Sequence, residues 1–326
     1  MTLALTIAQR VAYAVALLVA VLVLNFSMMH AAPGDIADTI AQASGGADAE
    51  MLAQIRADYG LDQPFLVQLG AYIARVATFD LGYSFFYNAP VTELIFEKLP
   101  ATLLLVIPAQ LFAMVVGTVL GVVSARKPNG IASAVVTFLA LFGYAAPVFW
   151  TGILLLIAFS LKVPLFPVAG MMDATLIDAG WFRRALSVAH HMVLPVVALS
   201  TIFLALYSRL ARASMMEVLG SDYVRTARAK GLAERSVVYK HALRNALGPV
   251  VTLAGLQLSA VVSGAVLVEA VFSWPGLGSL ALQSIIARDT PTILGILFFS
   301  ALVVIAGNLL TDLALRLIDP RLKGRA

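Results

Sequence analysis

Nine charged side chains stand close together in an otherwise apolar chain: Glu217, Asp222, Arg225, Arg228, Lys230, Glu234, Arg235, Lys240 and Arg244. Six are cations set among small residues, most densely in the run DYVRTARAKGL at 222–232. Cations among small residues at helical spacing suit a surface that another protein grips through ionic and hydrogen-bonded contacts; a solvated, positive-inside loop with no partner is the alternative. At a helix centre in a bilayer each Asp, Lys or Arg costs roughly 2.5 to 3.5 kcal/mol, so this group must lie in water. No HExxH, GxSxG or GxxxxGK[ST] stretch occurs, and no intramembrane carboxylates pair, so neither hydrolysis nor phosphate binding has its residues here. The absence of cysteine removes disulfides, thiolate metal sites and a Cys nucleophile. The reading is of a non-enzyme with no metal site and no cofactor of its own.

What must position this insert is membrane helix. Hydrophobic residues make up 61% of the chain and charged residues 12%, against about 25% charged in soluble domains. Long apolar runs, rather than alternating ten-residue segments, select helices over a barrel. The expected fold is all-α and integral to the membrane, with six transmembrane helices near 11–29, 101–124, 131–160, 188–208, 248–268 and 292–312. The third run is longer than a bilayer needs, and Gly143 and Pro147 within it predict a kink or break. The first run exceeds a signal-peptide core and is read as retained.

With the N-terminus in the cytoplasm, fifteen of the 22 cations fall inside, including Arg10, Arg126, Lys127, Arg209, Arg212 and the cations of 225–244. That bias places both termini in the cytoplasm. Residues 1–100 then hold the first transmembrane helix and an extracytoplasmic region; 101–326 form the core, with the aqueous 209–247 loop inside it. In the outer region 49–58 and 65–77 are helix-compatible, broken by Pro33-Gly34 and Asn88-Ala89-Pro90. The net charge of +4 follows from basic inner loops, and with only Tyr223 and Tyr239 to stack on bases the insert does not suit a nucleic acid.

Within the loop, Ser221 is the expected N-cap of a helix from 222 to 230. Asp222 sits at its positive end, Gly231 at the left-handed C-terminal position, and Leu232 makes the following apolar contact. Tyr223, Ala227 and Gly231, four apart, are expected on one face that a partner approaches closely. A second helix is expected from about 234 to 247.

The stretches YSRLARASMMEVLGSDYVRTARAKGL (207–232) and HALRNALGPVVTLAGLQ (241–257) strongly resemble the permease subunits of bacterial ABC importers of the peptide and nickel type. In that family the loop is the coupling motif, a Glu-Ala-Ala start, a Gly four residues on and a later Ile-x-Leu-Pro. Here it reads Arg225-Thr226-Ala227, Gly231 and His241-Ala242-Leu243-Arg244, with Asn245 following; the Glu, first Ala, Ile and Pro are replaced. RADYGLDQP (56–64), FDLGYS (79–84), Leu99-Pro100-Ala101-Thr102, LPVVALS (194–200), VEAVFSWPGLG (268–278), Arg288-Asp289 and IDPRL (318–322) extend the resemblance over nearly the whole chain. The resemblance implies a type I importer permease with six spans. It implies as partners a second homologous permease, two ATPase subunits that carry ATP and Mg, an extracytoplasmic solute-binding protein, and a bacterial inner membrane. It implies peptides as cargo, with nickel or another small solute as the alternative; an ATP-independent channel or secondary carrier is the rival of another class.

Several residues keep two readings. Pro147, Gln257 and Glu269 are candidates for the translocation path, with interhelical hydrogen bonding the alternative for Gln257 and a capped re-entrant turn for Glu269. Gln110 and Asn308 are further polar positions within spans. Gly117 and Gly121 form a helix-packing notch. Two adjacent histidines, His190 and His191, point about 100° apart and do not form a metal pair. Trp150, Trp181 and Trp274 are expected as interfacial anchors.

Overall fold

Residues 3–31, 53, 56–57 and 60–318 are described by the structure, a computed structural model, without the side chains of 3–8, 10, 258–261 and 310–318. Most of the 49–58 stretch, Pro33-Gly34, Asp58 and Tyr59 of the RADYGLDQP motif, and the tail after Ile318 with Arg321, Lys323 and Arg325 lie outside the described residues.

In chain order the elements are α1 (Leu3–Ala31), α2 (Phe65–Ala77), β1 (Tyr83–Ser84), β2 (Ala89–Pro90), α3 (Val91–Arg126) and α4 (Ile131–Ala145). Next come α5 (Val148–Leu156), continued by a π-helical turn Ile157–Lys162, and α6 (Trp181–Leu219), α7 (Asp222–Ala229) and α8 (Glu234–Ser236). A second π-helical turn, Val237–Ala242, leads into α9 (Leu243–Leu256), followed by α10 (Leu258–Val271), α11 (Leu277–Ala287) and α12 (Thr290–Ile318). The one departure from an all-α chain among the described residues is the two-residue antiparallel ladder pairing Tyr83 with Pro90 and Ser84 with Ala89.

Among the described residues four helices, α1, α3, α6 and α12, are long and apolar enough to cross a bilayer. The run expected as a kinked third span is broken, its halves α4 and α5 meeting at 107°. Pro147 causes the break: it has no N–H to donate, and it forces Ala146 into extended backbone (φ −79°, ψ 129°), where a helix cannot continue. The 248–268 run is likewise two helices rather than one, α9 and α10, meeting at Gln257.

The chain divides into two units. The first comprises Met1–Pro100 and Ser279–Ile305. Val76, Val91, Ile95, Leu294 and Phe299 are buried in it, and Gly295 admits the first turns of α3: a Cβ there would lie 2.5 Å from Val91 Cγ1. Two stretches far apart in sequence meet in this unit. Ser84 Oγ and Thr292 Oγ1 each donate to Asp289 Oδ2 at 2.6 Å, and the carboxylate stands at the N-cap of α12. The β-hairpin is thereby tied to the α11–α12 turn.

The second unit comprises Ala101–Gly278 and Ala306–Ala326. Its main core gathers Leu105, Ala109 and Ala113 of α3, Leu199, Phe203 and Tyr207 of α6, Val250 of α9, and Val268, Phe272 and Trp274 at the end of α10. Gly117 and Gly121 let α3 and α6 touch backbone to backbone. A Cβ on Gly121 would lie 2.6 Å from Ser208 O and 2.7 Å from Ala211 Cβ. Gly121→Val is expected to destabilise the purified protein by about 3 kcal/mol, the upper end for overpacking. A melting temperature equal to wild type would show that the two helices are not in this contact.

At about 1.5 Å per residue the 39-residue α6 spans some 58 Å, longer than the ~40–45 Å of a bilayer with its headgroups. Its last turns, with Arg209, Arg212 and Glu217, lead directly into the charged hairpin.

Candidate functional site: the hairpin between α6 and α9

The hairpin is built on its own small core. Val224 and Ala227 of α7 pack with Val122 and Ala125 of α3, Met215 of α6, and Val237, Val238, Ala242 and Ala246 of the second limb. Leu243 packs against the same group from the edge. This corrects the shared open face expected for Tyr223, Ala227 and Gly231: Ala227 is only 7% exposed, while Tyr223 is 45% exposed and Gly231 has open space around it. The apolar spacing of Val224 and Ala227 decides the orientation, turning α7 so that its small residue sits inward.

The ends of α7 differ. Gly231 (φ +73°) closes it in a Schellman arrangement, with Gly231 N–H donating to Arg228 O at 2.9 Å and Leu232 N–H to Ala227 O at 3.3 Å. Leu232 itself is exposed. Ser221 occupies the N-cap position without capping: its hydroxyl donates backwards to Val218 O at 2.5 Å, leaving Asp222 to complement the helix start.

Tyr223 and Asn245 are brought together. Asn245 Nδ2 donates to Tyr223 Oη at 2.8 Å and to His241 O at 3.2 Å, pinning α7 across the second limb. The helix expected over 234–247 runs on to Leu256, through the π-helical turn that holds His241, so helical backbone is unbroken from 234 to 256. Arg225 pairs with Asp222 at 3.4 Å, both well exposed, and contributes little to stability.

Arg228 forms a two-pronged bond to Glu234, Nε to Oε2 at 3.2 Å and Nη2 to Oε1 at 2.9 Å. This bond holds the Glu234 carboxyl below its ordinary range and raises Arg228. A lowered carboxyl pKa stabilises the fold above the unfolded value, near 4.3, and the contribution is lost as pH falls through the folded value. The melting difference between wild type and Glu234→Gln is expected to stay constant from about pH 6 to 8 and to vanish in acid. A difference that changes across neutral pH would contradict this assignment.

The path candidates separate. Pro147 is exposed at the α4–α5 break and Gln257 is half-buried at the α9–α10 junction. Glu269 is corrected as a path-lining group: it is 0% exposed, and its Oε1 accepts the Thr102 hydroxyl at 2.6 Å. The Thr102 oxygen in turn accepts Leu277 N–H at 2.7 Å, and Trp274 N–H donates to Glu269 O at 2.8 Å. These bonds close the turn that leads from α10 into α11 around the buried carboxylate. Trp274 is corrected as an interfacial anchor, being wholly buried with its indole N–H on Ala101 O at 2.8 Å; Trp150 and Trp181 are exposed. Thr102 stands in the Leu99-Pro100-Ala101-Thr102 stretch but carried no expected role, because a threonine in an apolar run looks like any span residue.

Of the other polar positions, Gln110 Nε2 donates to Tyr207 Oη at 2.6 Å and Ala254 O at 3.0 Å, linking α3 to α6 and α9, while Asn308 is exposed. His190 bonds Leu165 O and His191 bonds Ser187 O, each at 2.8 Å. Among the described residues no three His, Asp or Glu side chains converge on one point.

The hairpin, the broken α4–α5 pair and the α9–α10 turn all fall within the span matched by the family described as "Binding-protein-dependent transport system inner membrane component", residues 117–324. The chain belongs to that family. Residues 3–106 match its N-terminal companion. The protein is a multi-pass component of the inner membrane. It is similar to the dipeptide transport system permease protein DppB of Escherichia coli (strain K12), at 39% identity over 93% of this chain and 94% of that one. The oligopeptide transport system permease protein AppB of Bacillus subtilis (strain 168) is 37% identical over the same shares. Among solved structures, the MetNI methionine ABC transporter in its inward-facing conformations superposes with a TM-score of 0.53 at 19% identity, over 69% of this chain and 96% of that one. That likeness is one of fold.

Proposed function

We propose that this chain is the permease subunit of an ATP-driven importer that moves di- and oligopeptides across the bacterial inner membrane. In this reading it performs no chemistry itself. Two separate ATPase subunits bind ATP and Mg and grip the hairpin, a second homologous permease completes the pathway, and an extracytoplasmic solute-binding protein delivers the peptide. The chain crosses the membrane six times, with the α4–α5 pair as the third span, α9 with α10 as the fifth, and both termini in the cytoplasm.

One observation carries the coupling. The exposed residues of α7 ride on a helix clamped from below by Val224 and Ala227 and from the side by the Tyr223–Asn245 bond, and the clamp continues without a break into α9. The exposed side of the hairpin presents Asp222, Tyr223, Arg225, Gly231 and Leu232 to a partner. Peptide as cargo rests on the names and the 37–39% identity of the relatives. The test is uptake into proteoliposomes holding the whole assembly, with the solute-binding protein outside and ATP inside or absent. Peptide accumulation only with internal ATP is expected; equal uptake without it would make the protein a channel or secondary carrier.

A further inference from the structure

A cleft of about 240 Å³ opens where α6 passes the α3–α4 turn, lined by Ser124, Thr137, Ser208, Arg209, Arg212 and Met216 among others. Its two charged residues are both cations, one turn apart on α6. Arg212 Nη1 donates to Thr137 Oγ1 at 3.0 Å and Nη2 to Pro128 O at 3.3 Å, both neutral acceptors, and its Nε is buried with no partner. Three of the five guanidinium donors are thus unused. Among the described residues no carboxylate pairs with Arg209 or Arg212, although the Arg212 side chain is half-buried. A guanidinium held against apolar surface without a counter-ion is a costly arrangement unless an anion arrives from outside.

The neighbouring surface says what else that anion carries. The outer face of α4 is apolar and bare, with Ile131 86%, Phe138 69% and Leu139 57% exposed. Arg126 and Lys127, at the end of α3, stand just before this helix begins. The cleft therefore lies where a lipid-facing helix meets water, on the side of the hairpin, whose core includes Ala125 and Met215. An anionic head with apolar tails matches both halves of the surface, and basic pockets between membrane helices bind such headgroups.

We propose that this cleft holds the phosphate of an anionic phospholipid, bound by Arg209 and Arg212, with its acyl chains along α4. The lipid would brace the end of α6 that carries the hairpin.

The test uses the complete transporter in nanodiscs of phosphatidylcholine with a minor share of phosphatidylglycerol, with lipid retained after extraction read by native mass spectrometry. Wild type is expected to retain phosphatidylglycerol selectively. Arg209→Gln with Arg212→Gln is expected to retain at least about tenfold less, since each cation near an anionic headgroup contributes about 1 kcal/mol. Val136 also lines the cleft, and Val136→Trp, which fills it without altering charge, is expected to lose the lipid as well; it decides the matter if the double variant does not assemble. Equal retention by wild type and variants overturns the proposal. So does displacement by millimolar inorganic phosphate, which would mark a site for a free anion, or cross-linking of Arg212→Lys to a carboxylate of the second permease. The transport reading survives any of these results, because its own test reads the ATP dependence of uptake and not bound lipid.

Discussion

Replacing Gly276 by alanine is expected to lower the yield of folded protein severely, although the change adds a single methyl group. A Cβ at this position would fall inside contact distance of both oxygens and the Cδ of the Glu269 carboxylate. That carboxylate has little freedom to retreat. It is fully buried and held by Thr102, which also bonds Leu277 N–H, while Trp274 behind it is locked on Ala101 O. Gly278 is as tight against the other wall, where a Cβ would lie 2.5 Å from Val266 Cα. Overpacking costs roughly 1–3 kcal/mol, and a displaced buried acceptor leaves a polar group unsatisfied for about 1–3 more. The sum is a large part of the ~5–15 kcal/mol that holds a typical protein folded. Membrane yield and size-exclusion profile of tagged protein measure the effect. Glu269→Ala in the same chain makes room for the methyl and should restore part of the yield, as expected of residues in direct contact. Wild-type yield from Gly276→Ala alone would show that the turn does not close around the carboxylate.

The second large effect is functional. Gly231→Asp is expected to lower ATP-driven peptide uptake at least about tenfold, while the chain still inserts and accumulates. Nothing surrounds Gly231 within 4 Å in this chain, so an added side chain meets no internal obstacle. The residue sits at φ +73°, where a non-glycine costs about 1–2 kcal/mol, and aspartate is among the residues that reach this region most readily. Stability therefore falls modestly. What changes is the exposed end of α7, where a carboxylate would stand beside Lys230 and Arg228 at the surface assigned to the ATPase. A tenfold loss corresponds to about 1.4 kcal/mol at that interface. Gly231→Asn, which takes the same backbone conformation without charge, separates geometry from electrostatics. Uptake unchanged in the aspartate variant would remove this end of the hairpin from the coupling.

Coupling in this reading needs stiffness more than chemistry. The hairpin is held by apolar packing underneath and one polar pin at the side, and its second limb is already the start of α9. Ala227 contributes by being small enough to bury, so the close approach it permits is between limbs of this chain.

Much of this was legible in the residues. Apolar run length located α1, α3, α6 and α12, Pro147 located the α4–α5 break, and the charges of 217–244 located the aqueous hairpin. Each is a local property: lipid, a missing N–H and a desolvated charge act on a residue whatever its distant neighbours are. The roles of Ala227, Glu269 and Trp274 were decided elsewhere. An alanine four residues from a tyrosine reads equally as an open notch or a packed contact until Val237 and Val238 arrive to cover it. A glutamate before Phe-Ser-Trp-Pro-Gly reads as a gate until Thr102, 167 residues earlier, donates to it. Whether a polar or small side chain faces a path, a partner or the interior depends on which distant segment satisfies it, and only the tertiary structure supplies that segment.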